Sequence, residues 1–361
     1  MEPFASVPEQ PEAKRLLTAA LANGVSHAYL LHGPAGVGKR TAAFAFAAAL
    51  LGDARRVESR SHPDLYLLRP LGEMIRIDDI RALRHDLHMR PFEADRRVYV
   101  ILDADRMNED AADALLKDLE EPPAYAVVVL VAGELGPLPP TILSRCQLIP
   151  FRRLSESAVR DWIALQAPDR SADDVRVLAR ASSGRLDRAR RLLDPEAAAR
   201  REELIATARS VYSAGFEPAD AVSVLLGAAG AKGEEARDRE QGVVDTLDLP
   251  ARDAEQRVRR AQRGAERDEV LAELEGLEAW YRDLVVVAAG AEGAIVHADR
   301  LNDLRDDVAA DASDGAVEAA ETVRETWRAL EEFNLNPSLA LEALFVRLRR
   351  SLAGRARASR A

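Results

Sequence analysis

The sequence predicts a parallel α/β domain, with helices on both faces of its sheet, followed by all-helical segments. Short, unbroken apolar runs alternate with helical stretches up to about residue 150, which is typical of a parallel sheet covered on both faces. A glycine-rich stretch follows the first run, and beyond residue 155 the periodicity is helical. Aromatic residues make up only 5% of the chain and alanine is abundant, which favours helix-rich packing over an all-β fold.

Five runs carry the strand prediction, and one helix has clear boundaries. The predicted strands are AYLLH (28–32), LYLL (65–68), RVYVIL (97–102), AVVVLVA (126–132) and QLIPF (147–151). The clearest helix, EDAADALLKDLEE at 109–121, follows Asn108, whose side chain is a favourable N-cap. Acidic residues fill its first turn, and Pro122 and Pro123 end it.

The chain beyond residue 155 has a helical pattern with one weak segment. Apolar side chains recur at helical spacing at Val323, Trp327 and Leu330, and again at Leu341, Leu344, Phe345 and Leu348. Residues 228–242 combine glycine, alanine and charge, which predicts a flexible connection or a frayed helix. The last fifteen residues contain six arginines, which predicts a solvated tail, with a basic contact to nucleic acid as the alternative.

Composition excludes several classes of protein. The net charge of −11 argues against a strong independent grip on nucleic acid, whose phosphates would be repelled. The single cysteine excludes an internal disulfide framework and a multi-cysteine zinc site. The opening MEPFASVPEQ lacks the basic and apolar regions of an export signal, and no apolar run approaches the ~20 residues that cross a bilayer. We therefore expect a cytoplasmic protein without a membrane partner.

The stretch HGPAGVGKRTAA, directly after the first strand, resembles a phosphate-binding loop. The pattern G-x-x-x-x-G-K, with one further glycine, is supplied by Gly33, Gly36, Gly38 and Lys39. Backbone N–H groups of such a loop surround phosphate oxygens, and the lysine reaches the terminal phosphates. A hydroxyl that holds Mg²⁺ should follow the lysine, but Arg40 stands there. Thr41 comes one residue late, so on a helix it points about 100° away. The motif is still compatible with phosphate binding. It does not favour Mg²⁺ binding in the usual position, because no hydroxyl follows Lys39.

A second phosphate-chemistry signal is RVYVILDADRM, in which a β-branched run ends at Asp103. In P-loop nucleotidases an aspartate at this position, called Walker B, orients the magnesium. The glutamate that normally follows and polarises the attacking water is replaced by Ala104. Asp105 is expected two residues further along the strand, on the same side as Asp103, but too far along to substitute for the missing glutamate. The alternative for Asp103 is a carboxylate that caps a buried strand. In either case the base for hydrolysis is missing.

The stretch TILSRCQLIPF (141–151) places Arg145 immediately before the last strand. A planar, permanently charged guanidinium at the edge of such a domain suits insertion into a neighbouring subunit's nucleotide site. An arginine finger supplied in this way contributes on the order of 10³ to 10⁵ in rate. The alternative is an ordinary surface arginine. Cys146 has no partner thiol, which predicts a buried packing residue.

The order of these motifs resembles the bacterial clamp-loader AAA+ subunits. HAYLLHGPAGVGKR, HPDLYLLRP, VILDADRMNEDAADALLKDLEEPP and LPPTILSRCQ occur as in that family. The resemblance is specific over residues 10–151, while WYRDLV (280–285) and NPSLALEALFVRL (336–348) also fit its collar. It implies an α/β P-loop AAA+ module at 1–152, a small helical lid at 153–205, an all-α collar for oligomerisation at 206–352 and a basic tail at 353–361.

Departures from the family pattern favour a non-hydrolysing member over the ATP-hydrolysing motor subunit, gamma or tau. The motor has an Asp-Glu pair in Walker B and a hydroxyl after the lysine, neither of which is present here. Ala132 and Gly133 stand where its sensor-1 threonine would align, and Asp187 stands near the expected sensor-2 arginine, between Arg185 and Arg188. Ser144-Arg145-Cys146 is kept, which implies that Arg145 serves a neighbour's ATP.

The family commonly carries a four-cysteine zinc module between the first helix and the second strand. This chain reads LGDARRVESRSHPD there, without cysteine. We therefore expect no zinc, an insert that is shortened or stabilised otherwise, and His62 as a turn residue rather than a ligand.

The resemblance implies a rigid stator in a ring with the gamma/tau motor subunits and the delta subunit. That ring opens the sliding clamp and loads it onto primed DNA in chromosome replication, as part of a DNA-directed DNA polymerase holoenzyme. No cofactor is required, although a static ATP or ADP at the degenerate site is compatible with the motifs. Two alternatives remain: an active gamma/tau-type motor, and an unrelated P-loop phosphotransferase, which would leave the helices after residue 200 without a role.

Overall fold

The computed structural model describes residues 3–133, 135–136, 138–213, 215–245, 250–333 and 335–353, and the chain divides into two compact units. The first comprises Met1–Asp169 with Ser183–Arg188, and the second comprises Arg170–Ser182 with Ala189–Ala361. The boundaries expected near residues 152 and 205 stay predictions. The basic tail lies outside the described residues, apart from Ala353.

The first unit contains a five-stranded parallel sheet, and every predicted strand is present. The strands are β1 (Ala28–His32), β2 (Leu65–Leu68), β3 (Arg97–Ile101), β4 (Ala126–Ala132) and β5 (Gln147–Pro150). Their order across the sheet is β2-β3-β4-β1-β5, with all four neighbouring pairs parallel. β1 therefore lies between β4 and β5, and its carboxyl end is flanked by theirs.

Helices cover both faces of this sheet, as the apolar runs predict. The helices of the first unit are α1 (Pro11–Asn23), α2 (Lys39–Leu51), α3 (Ala54–Glu58), α4 (Ile77–Leu87), α5 (Glu109–Glu120), α6 (Pro140–Leu143) and α7 (Glu156–Gln166), and α1 to α6 contribute to the two clusters against the sheet. Alternate residues of β1 separate the two layers: Tyr29 and Leu31 pack in the cluster with α1 and α2, and Ala28 and Leu30 in the cluster with α4 and α5. The Asn108 side chain caps α5 by accepting from the N–H of Ala111 at 3.1 Å, as expected.

The segment LGDARRVESRSHPD (51–64) ends in a buried carboxylate. Asp64 is fully buried and accepts hydrogen bonds from the backbone N–H groups of Phe92 at 2.6 Å, Glu93 at 3.0 Å and Ala94 at 2.9 Å. Burial alone would raise the pKa of Asp64, but these three donors outweigh it and lower the pKa below its ordinary value. Asp64 thus fastens the 92–94 loop to the start of β2.

Further side-chain contacts stabilise residues 53–64. Arg56 bridges Asp53 at 2.7 Å and Glu93 at 2.5 Å, while Asp53 caps α3. The buried His62 accepts from the N–H of Asp64 through Nδ1 at 3.1 Å, so it is the turn residue that the sequence predicts. Within the described ranges no group of three His, Cys, Asp or Glu side chains is arranged to hold a metal ion.

The second unit is helical and has its own core. Its helices are α8 (Ala172–Ala181), α9 (Leu186–Leu193, whose first residues belong to the first unit), α10 (Pro195–Ser210), α11 (Pro218–Val244), α12 (Ala251–Ala288), α13 (Leu301–Ala309), α14 (Ala316–Glu332) and α15 (Pro337–Ala353). The predicted apolar faces of α14 and α15 pack into the core around Trp280, Tyr281 and Phe345. None of the helices that the structure describes is both long and apolar enough to cross a membrane.

Residues 228–242 are helical, so of the two alternatives predicted for this segment the flexible connection is wrong. They lie inside the continuous helix α11, which packs along α12. A Cβ at Gly233 would come within 2.5 Å of the Glu266 side chain, so glycine here permits close approach of the two helices. Glu240 is buried and pairs with Arg257 of α12 at 2.5 Å. Tertiary packing therefore outweighs the weak helical propensity of this segment.

The WYRDLV stretch of α12 contains a buried aspartate that hydrogen-bonds to the chain after this helix. Asp283 is fully buried and accepts from the backbone N–H groups of Val296 at 2.9 Å and His297 at 2.7 Å. Its carboxylate also meets Nδ1 of His297 at 2.9 Å. These contacts fix the chain that follows α12 against the helix.

Candidate functional site

The glycine-rich loop lies at the carboxyl end of β1 and leads into α2. Gly33 has φ 133°, and a Cβ there would lie 2.2 Å from the carbonyl oxygen of Phe151. Gly36 and Gly38 also adopt left-handed conformations, at φ 69° and 99°. Three close or left-handed backbone positions therefore require glycine, and the loop begins α2 at Lys39 as the motif predicts.

Lys39 is buried within this loop, with 7% of its surface exposed. Its ammonium group donates to the carbonyl oxygens of Gly33 and, at 2.5 Å, Pro34. Burial lowers the pKa of Lys39 to about 8, and the negative charges of Asp105 and then Asp103 oppose that shift. The lysine therefore stays largely protonated at neutral pH and faces the carbonyl groups of its own loop.

The two residues after Lys39 are exposed on α2. The guanidinium of Arg40 lies 5.8 Å from the centre of the Phe44 ring, one helical turn further on. Thr41 brings its hydroxyl to the surface of α2, one position after the place where a magnesium-binding hydroxyl would stand.

Asp103 lies two residues beyond the end of β3 at the same edge of the sheet, and the chain has already left the strand there. Asp103 is left-handed, with φ 49°, and Ala104–Arg106 form a 3₁₀ turn, so Asp105 is not on a strand and the expectation of a shared face is wrong. The Asp105 carboxylate instead accepts from the backbone N–H of Gly133 at 2.8 Å, beyond the end of β4. Ala104 is buried and carries no carboxyl group toward this edge.

The segment 183–188 packs directly on the phosphate-loop motif. The N–H of Leu186 donates to the carbonyl oxygen of Gly36 at 2.7 Å. A Cβ at Gly36 would lie 1.8 Å from Oδ1 of Asp187, so this carboxylate already occupies the space beside the loop. Arg185 pairs with the same carboxylate, with Nη2 2.7 Å from Oδ2. The sequence placed Asp187 near a sensor position but gave no signal for this contact.

Gln10 is a second residue that the sequence did not single out. It is buried, and its side chain donates to the carbonyl oxygens of Val37 at 3.3 Å and Arg152 at 2.6 Å and accepts from the N–H of Arg152 at 3.1 Å. Gln10 thereby ties the loop to the chain that follows β5. Glutamine before a helix has no distinctive sequence pattern, so only the folded chain identifies it.

Arg145 lies between α6 and β5, near the amino ends of the strands. Its Nη2 pairs with Glu120 at the end of α5 at 2.5 Å, and its Nη1 donates to the carbonyl oxygen of Thr141 at 2.9 Å. The side chain is 31% exposed, so it is not sealed inside the unit. The loop and Asp103 are brought together at the carboxyl edge of the sheet, and Arg145 is not.

Cys146 is half-buried against the α4 and α5 cluster rather than fully buried, which corrects the prediction. Burial raises the pKa of its thiol to about 12. At pH 8 only about one thiol in 10⁴ would then be the reactive thiolate. We expect the native chain to react with a disulfide reagent such as Ellman's reagent far more slowly than a small free thiol, and the unfolded chain to react at the ordinary rate with one equivalent. Rapid reaction of Cys146 in the folded chain would contradict the raised pKa of its thiol.

Comparison with known proteins finds similarity over most of the first unit. Residues 9–155 match the family described as DNA polymerase III, delta subunit. DNA polymerase III subunit delta' of Bacillus subtilis is 37% identical over 170 residues, which cover 44% of this chain and 52% of the relative. The Pseudomonas aeruginosa delta' subunit is 35% identical over 174 residues, 44% of this chain and 53% of the relative. The chain thus spans about half the length of these relatives.

Relatives named tau or gamma are less similar to this chain in sequence. DNA polymerase III subunit tau of Bacillus subtilis is 32% identical over 159 residues, 40% of this chain and 28% of the relative. A crystal structure of a DNA polymerase III gamma subunit-related protein from Thermotoga maritima matches with TM-score 0.47 and 19% identity, covering 94% of this chain and 99% of that one. Over residues 9–155, less than half of its length, the chain is thus similar to the DNA polymerase III delta family and to its delta' subunits.

Proposed function

We propose that this chain is a non-hydrolysing, cytoplasmic subunit of the DNA polymerase III clamp loader. It assembles with the gamma/tau motor subunits and the delta subunit, and it reaches the sliding clamp and primed DNA through that complex. Its own part is to hold Arg145 at the nucleotide site of a neighbouring motor subunit. The similarity to the delta' subunits over the first unit supports this assignment.

The position of Arg145 relative to the phosphate-loop motif carries the proposal. The motif follows the carboxyl end of β1, whereas Arg145 precedes the amino end of the neighbouring parallel strand β5. A strand of four to five residues separates these edges by about 15 Å at ~3.3 Å per residue. An arginine there does not reach its own loop, and its partial exposure leaves it available to an adjoining subunit.

The site beside the chain's own loop lacks the groups for hydrolysis. Ala104 supplies no base for water, Arg40 replaces the magnesium hydroxyl, and Asp105 is bonded to the N–H of Gly133. The chain therefore requires no cofactor for its role, and zinc has no part in it. The similarity to the tau subunit is the reason that an ATP-hydrolysing motor subunit is the second candidate function.

Turnover by the purified chain distinguishes these two candidates. With ATP as substrate and magnesium present, we expect the isolated protein to release phosphate no faster than a buffer blank, because the water-activating carboxylate is absent. Adding it to purified gamma/tau and delta subunits should raise ATP turnover, measured as phosphate release with and without primed DNA and clamp. Steady turnover by the lone chain, abolished by Lys39→Ala, would instead establish a motor.

A further inference from the structure

We propose that Asp187 closes the phosphate-loop motif of this chain against nucleotide, as an internal anion fixed beside Gly36. The loop then stays shut whether or not ATP is present. The inference deepens the proposed function at the same motif, but it rests on the geometry of the first unit and not on assembly into a ring.

The carboxylate of Asp187 is held against the loop at close range. Its Oδ1 lies 1.8 Å from the position of a Cβ on Gly36, so glycine leaves room for the carboxylate where it stands. Gly36 is left-handed at φ 69°, which any residue with a side chain adopts only with strain. The same carboxylate lies close enough to Lys39 to contribute to that lysine's electrostatic environment. A negative charge thus stands beside a loop of a kind that otherwise receives the negative charge of phosphate.

Backbone hydrogen bonds fasten the segment that carries Asp187 on both sides. On one side, the N–H of Leu186 donates to the carbonyl oxygen of Gly36 at 2.7 Å. On the other, the N–H of Leu154 donates to the carbonyl oxygen of Gly184 at 3.1 Å. A Cβ on Gly184 would lie 2.5 Å from the carbonyl oxygen of Leu154, so this approach also requires glycine. The position of Asp187 is therefore set by the main chain.

Arg185 is directed to Asp187. Its Nε and Nη2 lie 3.1 and 2.7 Å from the two carboxylate oxygens, and its side chain is only 14% exposed. A buried guanidinium near a phosphate loop would ordinarily favour phosphate. Here a carboxylate of the same chain engages it, so an incoming nucleotide meets Asp187 and competes for Arg185.

Nucleotide binding by the purified chain tests whether the Asp187 carboxylate keeps nucleotide out of the loop. We would titrate fluorescently labelled ADP, and ATP with and without magnesium, into the wild-type protein and Asp187→Asn, which keeps the shape and removes the charge. The Asp187 side chain is 37% exposed, so solvent screens part of its repulsion and we expect a gain in affinity of about tenfold or more rather than a full interior effect. Asp78→Asn is the control: it removes the same charge from an exposed pair with Arg81 of α4, and its affinity should equal that of wild type.

Equal affinities of the wild type and Asp187→Asn, whether measurable or below detection, would overturn the proposal, and so would an equal gain in Asp78→Asn. Hydrogen exchange of the Leu186 amide in the wild type tests, without a variant, whether the 183–188 segment stays bonded to the loop. Its protection should be the same with and without excess ADP and magnesium, and a change on adding ADP would show that nucleotide opens the segment. These measurements use the lone chain, so their failure is distinguishable from failure of the ring assay.

Discussion

Replacing Arg145 by alanine in the assembled clamp loader is expected to lower ATP turnover at the neighbouring motor site by on the order of 10³ to 10⁵. The guanidinium would stabilise charge that develops on the transferred phosphoryl group, and no other group of this chain is proposed for that task. The ring should still assemble, because the hydrogen bonds of the Arg145 side chain to described residues join it to Glu120, Thr141 and Ser144 of its own unit. The measurements are phosphate release by the reconstituted complex and its elution on size exclusion.

Two controls separate a finger from a general surface charge. Arg152→Ala removes an arginine whose side chain is 84% exposed and pairs with Glu12 at 3.4 Å, and it should leave turnover unchanged. Arg145→Lys keeps the charge but loses the planar fork, so most of the rate should still be lost. Turnover unaffected by Arg145→Ala in an intact complex would remove the finger assignment and leave Arg145 as a surface residue.

Replacing Asp283 by alanine is expected to lower the free energy of unfolding of the second unit by about 3–5 kcal/mol. The change strands the backbone N–H groups of Val296 and His297 and removes the partner of the His297 ring. Thermal or urea unfolding followed by circular dichroism would measure it. Asp253→Ala, in the exposed first turn of the same helix, should cost no more than about 1 kcal/mol.

The contribution of Asp283 should also depend on pH. Burial raises its pKa, but the hydrogen bonds from His297 and the N–H of Val296 outweigh burial and hold the pKa below the ordinary value. The folded-state pKa is therefore depressed, and the stabilisation is complete above the unfolded value of about 3.9 and is lost as the pH falls through the folded value. The gap in stability between wild type and Asp283→Ala should thus be constant from neutral pH to about 5 and narrow at lower pH. A gap that is independent of pH down to about 2 would contradict this.

The sequence predicts the strands well because each is a short, largely apolar run between helical stretches, and the central strands β1, β3 and β4 are almost entirely buried by the sheet's two helical layers. It fails at 228–242, where composition suggests flexibility. There, contact with α12 and the buried pair of Glu240 with Arg257 hold a continuous helix. It also fails at Asp105, because nothing in the local pattern shows that Asp103 turns left-handed and ends the strand.

The candidate site shows the same division between local and distant information. Loop residues such as Gly33 and Lys39 follow from a motif whose spacing is local. The contact of Asp187 with Gly36 joins residues about 150 positions apart, and that of Gln10 with Arg152 joins residues 142 apart. Such contacts depend on how separate elements pack, which one sequence without a structure does not reveal.

The carboxylate of Asp64 has a consequence for how this region responds to its surroundings. Where a thiolate-bound metal cross-links a fold, chelators and oxidants open it. Here the 53–64 segment is joined to the 92–94 loop by carboxylates, a guanidinium, an imidazole and backbone N–H groups. Because Asp64 holds these N–H groups in its ionised form, we expect acidification that protonates it to loosen the contact between the two segments.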